Sequence, residues 1–383
     1  MVKRNKYMNV PEIRFKGLDK TWNKKTLDEL VQLNSGMDYK HLCNGNIPVY
    51  GTGGYMLSVN AALSYDKDAI GIGRKGTINK PYILKAPFWT VDTLFYAIPR
   101  KYNNLQFCNC IFQRIDWLKY DESTGVPSLS KNIINSIEVN CAPSYDEQQK
   151  IASYFQSLDS LIQTTSKKLV SLKQIKDASL QSMFPQEGET VPKVRFKGFE
   201  GEWDFVTAGE VFRTTNVRNR PDLPVLSATQ DKGMVKRSDI GYQVFHDKSN
   251  ETTYKHILPG QFIIHLRSFQ GGFAHSNIEG IVSPAYTVME FKNKEFHYDY
   301  FWKYIFTSKG FIKRLELITY GIRDGRTISF DEFKEMNFFI PSKLEQQKIA
   351  SYFCNLDKQI SLQTQRLEKL KQIKAACLDK MFV

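Results

Sequence analysis

The chain has 383 residues, with 53 Lys and Arg against 40 Asp and Glu, a formal charge of +13 and a pI of about 9.2. A composition of 42% hydrophobic, 13% aromatic and 24% charged residues excludes a disordered, collagenous or disulfide-scaffold chain and, at this length, implies more than one domain. The excess of positive charge points to a polyanion or an acidic surface as partner.

The start, MVKRNKYMNVPEIRF, is charged but leads into no apolar stretch, and no run in the chain approaches the roughly 18 apolar residues of a membrane span. A cytoplasmic location with no membrane association is expected. Val10 to Trp22 reads VPEIRFKGLDKTW. Residues 23–142 then carry strand signals at Ala69–Gly73, Phe88–Val91 and Leu94–Ile98. Gly71, Gly73 and Gly76 make a literal G-x-G-x-x-G, yet Thr77-Ile-Asn-Lys-Pro81 is a turn sequence and not the helix that a dinucleotide site needs. Arg74, Lys75, Gly76 and Thr77 therefore read as a basic glycine loop suited to a phosphate or a base edge. Thr52, Gly53 and Gly54 form a second such loop.

From Pro143 to Phe184 the sequence is helical. Ile151, Phe155, Leu158, Ile162, Thr165, Leu169 and Leu172 step by four and three, the alternation of a coiled-coil seam. A three-residue step to Ile175 reads as a stammer in that heptad. Asp146 is the expected N-cap. A helix of about 36 to 40 residues would be about 54 to 60 Å long. Pro185-Gln-Glu-Gly-Glu-Thr190 reads as a linker.

The short N-terminal segment then returns as VPKVRFKGFEGEW at Val191 to Trp203. Strands are expected at Phe262–Leu266 and Tyr286–Phe291, and a helix over Tyr298 to Lys309. Arg267, Ser268 and Gln270, and further on Arg323, Arg326 and Thr327, lie in loop contexts with Gly. Arg can fork to a guanine edge and Gln to an adenine edge, while Ser and Thr hold phosphates. These six join Thr52, Gly53, Gly54, Arg74, Lys75, Gly76 and Thr77 as DNA-binding candidates.

The helix itself recurs at Pro341 to Phe382, identical at 24 of 42 positions without a gap. Its seam is Ile349, Phe353, Leu356, Ile360, Gln363, Leu367 and Leu370, followed by the same step to Ile373. Leu344 stands where the first copy has Asp146. Two such helices are expected to bury their stripes on each other as an antiparallel coiled coil, with Ile151, Phe155, Leu158, Ile162, Leu169 and Leu172 facing Ile349, Phe353, Leu356, Ile360, Leu367 and Leu370. The chain is thus two half-molecules in tandem, a repeated frame around inserts that resemble each other little.

No catalytic or metal site emerges. Cys43, Cys108, Cys110, Cys141, Cys354 and Cys377 have no C-x-x-C spacing, and six histidines show no helical pairing. Ser283-Pro-Ala-Tyr286 is a faint version of the amino-methyltransferase N/D-P-P-Y/F loop, with Ser in place of the essential amide or acid. Glu290-Phe-Lys292 and Glu332-Phe-Lys334 are E-x-K triplets of the kind found in metal nucleases, but neither has an acidic partner in sequence.

Glu-Gln-Gln-Lys-Ile-Ala-Ser-Tyr-Phe at 147–155 and 345–353, each followed by Leu-Asp, an Ile, Leu-Lys-Gln-Ile-Lys and Met-Phe, resembles the conserved helical regions of specificity (S, HsdS-type) subunits of Type I restriction-modification systems. Pro48–Gly54, Gly73–Gly76 and Pro87–Thr93 resemble one target-recognition pattern, and Pro224–Ser227 with Gly280–Tyr286 another. The resemblance implies an α+β fold: two mixed α/β target-recognition domains (1–142 and 191–340), two long helices (143–184 and 341–383) packed as an antiparallel coiled coil, a linker at 185–190, and a pseudo-twofold internal repeat. It further implies a non-catalytic subunit that reads a bipartite target in double-stranded DNA and docks two methyltransferase subunits and two restriction subunits. S-adenosylmethionine, ATP and Mg would then sit on those partners, with no cofactor and no metal on this chain. The alternatives from other classes are a coiled-coil protein scaffold that reads no DNA, and a self-contained DNA methyltransferase or nuclease.

Overall fold

The computed structural model describes residues 9–186, 188–229, 233–240, 248–265, 272–318 and 328–383. They belong to two compact units, residues 1–167 with 364–383, and residues 168–363. The division falls inside both long helices, so the end of the chain belongs with its first half.

In the first unit the order is β1 (Asn23–Thr26), α1 (Leu27–Leu30), β2 (Val31–Ser35), β3 (Asn44–Gly51), β4 (Gly54–Val59), β5 (Ala69–Gly73), β6 (Tyr82–Leu84), β7 (Trp89–Thr90), β8 (Leu94–Pro99), α2 (Leu105–Arg114), α3 (Lys131–Ser136) and β9 (Glu138–Cys141), leading into α4 (Tyr145–Ser182). An antiparallel sheet of order β2-β8-β5-β6 carries the core, β1 pairs with β9, and β4-β3-β7 form a smaller sheet in which β3 and β7 are parallel. Strand β5 is buried along its whole length, which explains its unalternating Ala-Ile-Gly-Ile-Gly sequence.

The second unit contains β10 (Asp204–Thr207), α5 (Ala208–Val211), β11 (Phe212–Thr215), β12 (Leu226–Thr229), β13 (Gly233–Lys236), β14 (Lys255–Ile257), β15 (Phe262–Ile264), β16 (Phe273–His275), β17 (Gly280–Val282), β18 (Thr287–Phe291), α6 (Asp299–Thr307), α7 (Lys309–Ile318), α8 (Phe330–Lys334), β19 (Asn337–Ile340) and α9 (Lys343–Lys380). Its sheet order β11-β18-β15-β16 repeats that of the first unit, and β10 pairs with β19 as β1 does with β9. The frame therefore reaches into inserts whose sequences look unrelated. Its local signal is a capping box, Thr26-Leu-Asp-Glu29 in one unit and Thr207-Ala-Gly-Glu210 in the other, where the Glu carboxylate accepts from the Thr backbone N–H at 2.7 and 2.6 Å. The units differ in what the frame carries, β4-β3-β7 in the first and the β12-β13 and β14-β17 pairs in the second. The helix expected over Tyr298 to Lys309 is α6, and it stops at Ser308, whose Oγ accepts from Phe311 N (3.2 Å) and starts α7.

Each long helix has 38 residues, about 57 Å at 1.5 Å per residue. Their caps are Ser144 and Ser342, which accept from Glu147 N at 3.3 Å and Glu345 N at 3.5 Å. Asp146 is an acid of the first turn and not the cap, so Leu344 in the second copy removes nothing essential.

Within each unit the two helices run antiparallel. In the first, Asp159 pairs with Lys374 (2.6 Å), Tyr154 OH meets Cys377 Sγ (3.3 Å) and Phe155 lies 6.0 Å from Phe382. In the second, Lys176 pairs with Asp357 (2.5 Å), Ser179 Oγ meets Tyr352 OH (2.9 Å) and Phe184 lies 5.9 Å from Phe353. Ile151, Phe155, Leu158, Thr165, Leu169 and Leu172 are buried, with Ile162 half-buried. On the other helix Ile349, Phe353, Leu356 and Leu367 are buried, while Ile360, Gln363 and Leu370 are half-buried.

The expected stammer is absent. Ile175 and Ile373 are exposed, and the four-three steps continue through Lys176, Ser179 and Met183 in one helix and Lys374, Cys377 and Met381 in the other. The heptad is unbroken, and one seam position in each copy is held by a Lys that pairs with an Asp of the facing helix. A polar seam residue of this kind fixes register.

Candidate nucleic-acid interface

The basic glycine loop leaves the buried strand β5 and turns back at once. Arg74 N and Lys75 N both donate to Thr93 O, at 2.8 and 3.3 Å, and Gly76 N donates to Pro127 O at 2.8 Å. Leu129 N returns a bond to Arg74 O at 2.9 Å. Gly76 has φ +93°, a left-handed conformation that favours glycine. The backbone is thus fixed from two sides while the Arg74 and Lys75 side chains are exposed. No helix follows Gly76, so the loop offers no dinucleotide site.

Thr52 and Gly53 are the turn of the β3-β4 hairpin. A Cβ built on Gly76 would lie 3.8 Å from Thr52 Oγ1. The fold therefore brings Thr52, Gly53, Gly54, Arg74, Lys75, Gly76 and Thr77 into one patch, beside the exposed ring of Tyr55. The third side of the patch is the segment 121–130. Asp121 ties that segment by accepting from Ser128 N (2.9 Å), Ser123 N (3.0 Å) and Ser123 Oγ (2.8 Å). Those bonds, that from Ser128 N first, hold its carboxyl below the ordinary carboxylate range. A lowered carboxylate contributes its stabilisation above the unfolded pKa of about 3.9 and loses it as the pH falls through the folded value, so the tie is intact at neutral pH. Asp121→Ala is expected to raise amide hydrogen exchange at Ser123 and Ser128 while leaving α2 unchanged, measured residue by residue.

In the second unit Arg267, Ser268, Gln270, Arg323, Arg326 and Thr327 lie outside the described residues. Their described flanks meet: His265 N donates to Gly272 O (2.8 Å), and a Cβ on Gly272 would lie 3.3 Å from Ile328 Cδ1. The motif segments Pro224–Ser227 and Gly280–Tyr286 pack on each other, Ile281 N donating to Pro224 O at 3.0 Å, with no space for a Cβ on Gly280. They are framework. Both E-x-K triplets are also structural. Glu290 pairs with Arg213 (2.8 Å) and accepts from Gln261 (2.9 Å), and Glu332 closes a capping box with Ser329. Among the described residues no three His, Cys, Asp or Glu gather as a metal site, and no helix is long and apolar enough to cross a membrane.

The repeated helical motif has a role that its periodicity does not reveal. Glu147 and Glu345 are buried, with 1% of each exposed, and each takes a two-pronged ion pair from an Arg of the short repeat. Arg14 donates to Glu147 at 2.7 and 2.8 Å, and Arg195 to Glu345 at 2.6 and 2.7 Å. Gln148 accepts from Asn104 N, and Gln346 from Tyr298 N, both at 2.9 Å, where α2 and α6 begin. The recurrence of Arg-Phe-Lys-Gly together with Glu-Gln-Gln-Lys was the available signal for this contact.

Residues 19–174 and 200–372 each match the Type I restriction modification DNA specificity domain. The chain belongs to that family. Two domains of this specificity family, each with mixed helix and strand, account for the repeated frame. Among solved structures, the Type-I restriction-modification system S subunit from M. genitalium is similar over 98% of this chain and 99% of its own, at 15% identity and a TM-score of 0.68, so the two share a fold. The HsdS subunit from Thermoanaerobacter tengcongensis matches over 94% of this chain and 96% of its own, at 16% identity and a TM-score of 0.41. Comparison with curated protein sequences gives no match.

Proposed function

We propose that this specificity subunit reads a bipartite target in double-stranded DNA, one half-site per unit, and is itself non-catalytic. The observation that carries the reading is one frame bearing two unlike inserts: the sheet order, strand pairs, capping boxes and Arg–Glu locks recur, whereas, among the described residues, the small sheets do not, and the insert sequences differ. A repeated frame suits two copies of one partner, and unlike inserts suit two unlike half-sites. The net charge of +13 and the exposed Arg74–Lys75 loop support a duplex as ligand. In this reading the helices set the gap between half-sites and dock two methyltransferase subunits, which supply adenine N6 methylation from S-adenosylmethionine. Two restriction subunits using ATP and Mg complete the complex.

Exchanging residues 204–340 for the insert of another specificity subunit, in a complex reconstituted with its methyltransferase partner, is expected to change one half of the methylated motif and keep the other. A change in both halves, or in neither, overturns the modular reading. A protein-only scaffold would show no salt-dependent duplex affinity in the same assembly.

A further inference from the structure

Beside the glycine loop lies an open cavity of about 430 Å³, lined by Arg74 and Glu122 together with the buried ring of Phe95 and the cations Lys75 and Lys131. Two opposite charges in one cavity ordinarily pair. Here neither makes an ion pair among the described residues, and Arg74 has one long side-chain bond, from Nη1 to Asp92 O at 3.5 Å. Their backbones are nevertheless tied to the same short segment: Leu129 N donates to Arg74 O (2.9 Å), and Glu122 N to Ser128 O (3.1 Å). The fold holds two exposed side chains of opposite sign on one support, neither in an ion pair, with the Arg74 guanidinium 5.8 Å from the centroid of the Phe95 ring.

That pair is complementary to one base pair more than to the other. In the major groove G·C presents two adjacent acceptors on guanine, O6 and N7, and then the N4 donor of cytosine, whereas A·T presents an acceptor, a donor and an acceptor. An Arg supplies the two donors and a Glu the acceptor. We propose that Arg74 and Glu122 read a single G·C base pair in the half-site of the first unit, Arg74 donating to guanine and Glu122 accepting from cytosine N4. Lys75 and Lys131 hold the flanking phosphates. The proposal rests on the first unit being a DNA reader.

The test is single-molecule methylome sequencing of cells carrying the full chain with its methyltransferase partner, as wild type, Arg74→Ala and Glu122→Ala. The expected wild-type motif has a G·C pair in the half that insert exchange assigns to the first unit. Each variant then relaxes that same position, with discrimination reduced about 5- to 150-fold and the other half unchanged. Both side chains are exposed, and unchanged thermal melting identifies the folded variants; each variant tests the assignment without the other. A uniform fall in methylation with no relaxed position makes Arg74 a phosphate contact and overturns the proposal while leaving the reader intact. Relaxation at two different positions, or a half-site with no G·C pair, overturns it as well. If the halves of the motif do not follow the units in the insert exchange, the underlying reading of function fails first.

Discussion

Glu147→Ala is expected to destabilise the first unit by about 3 to 5 kcal/mol, the usual consequence of leaving a buried charge without its partner. The Glu147 carboxylate lies almost wholly out of solvent and accepts from Arg14 Nε, Arg14 Nη2 and Trp22 Nε1, the last at 3.1 Å. Removing it strands a guanidinium and an indole N–H at once. The equivalent Glu345→Ala strands Arg195, but Trp203 Nε1 has no hydrogen-bond partner among the described residues. Its loss should therefore be smaller by about one hydrogen bond, roughly 1 kcal/mol. Native-state hydrogen exchange reads the two units separately, since Glu147→Ala should lower protection in β1-β9 and α2, and Glu345→Ala in β10-β19 and α6. A loss below about 1 kcal/mol for Glu147→Ala would show that water reaches the site and that the lock is not buried in solution.

Phe382→Ala, almost at the end of the sequence, is expected to destabilise the first unit by about 3 to 5 kcal/mol, as other buried Phe truncations do. Phe382 has 3% of its surface exposed. Its ring lies 5.6 Å from Trp22, 5.4 Å from Phe107 and 6.0 Å from Phe155, with the Arg114 guanidinium 5.5 Å from its centroid. Phe184 occupies the matching place in the second unit, 5.5 Å from Phe301 and 5.9 Å from Phe353. Among the described residues the two rings share no aromatic partner, so the effects of Phe382→Ala and Phe184→Ala should add to within about 0.5 kcal/mol, and denaturant unfolding of the single and double variants checks this. Strong non-additivity would mean that the units unfold as one body.

Both residues lie in the repeated Met-Phe, and the repeat is where sequence reading succeeded. Helical periodicity and tandem identity are local properties: each residue reports its face through neighbours three and four positions away. The seam from Ile151 to Leu172 could be read that way, as could the strands around Ile70 and Phe95. The same method failed at Ile175 and Ile373, because it assigns the seam to the nearest apolar side chain. Lys176 and Lys374 hold that position instead, and a Lys is acceptable there only because an Asp stands opposite on a helix far away in sequence, 181 residues for Lys176 and Asp357 and more than 200 for Lys374 and Asp159.

What the amino-acid sequence determined by itself was the family, the tandem organisation and the long amphipathic helices, since all three are written in local pattern and repetition. Only the tertiary structure decided that the end of the chain completes the first unit, that Arg14 locks Glu147, and that Thr52 stands beside Gly76. It alone placed Glu122 in the cavity of Arg74. Each of these depends on chain segments far apart in sequence being brought within a few ångströms by the packing of the frame, and pair chemistry at a distance leaves no periodic trace in either segment alone.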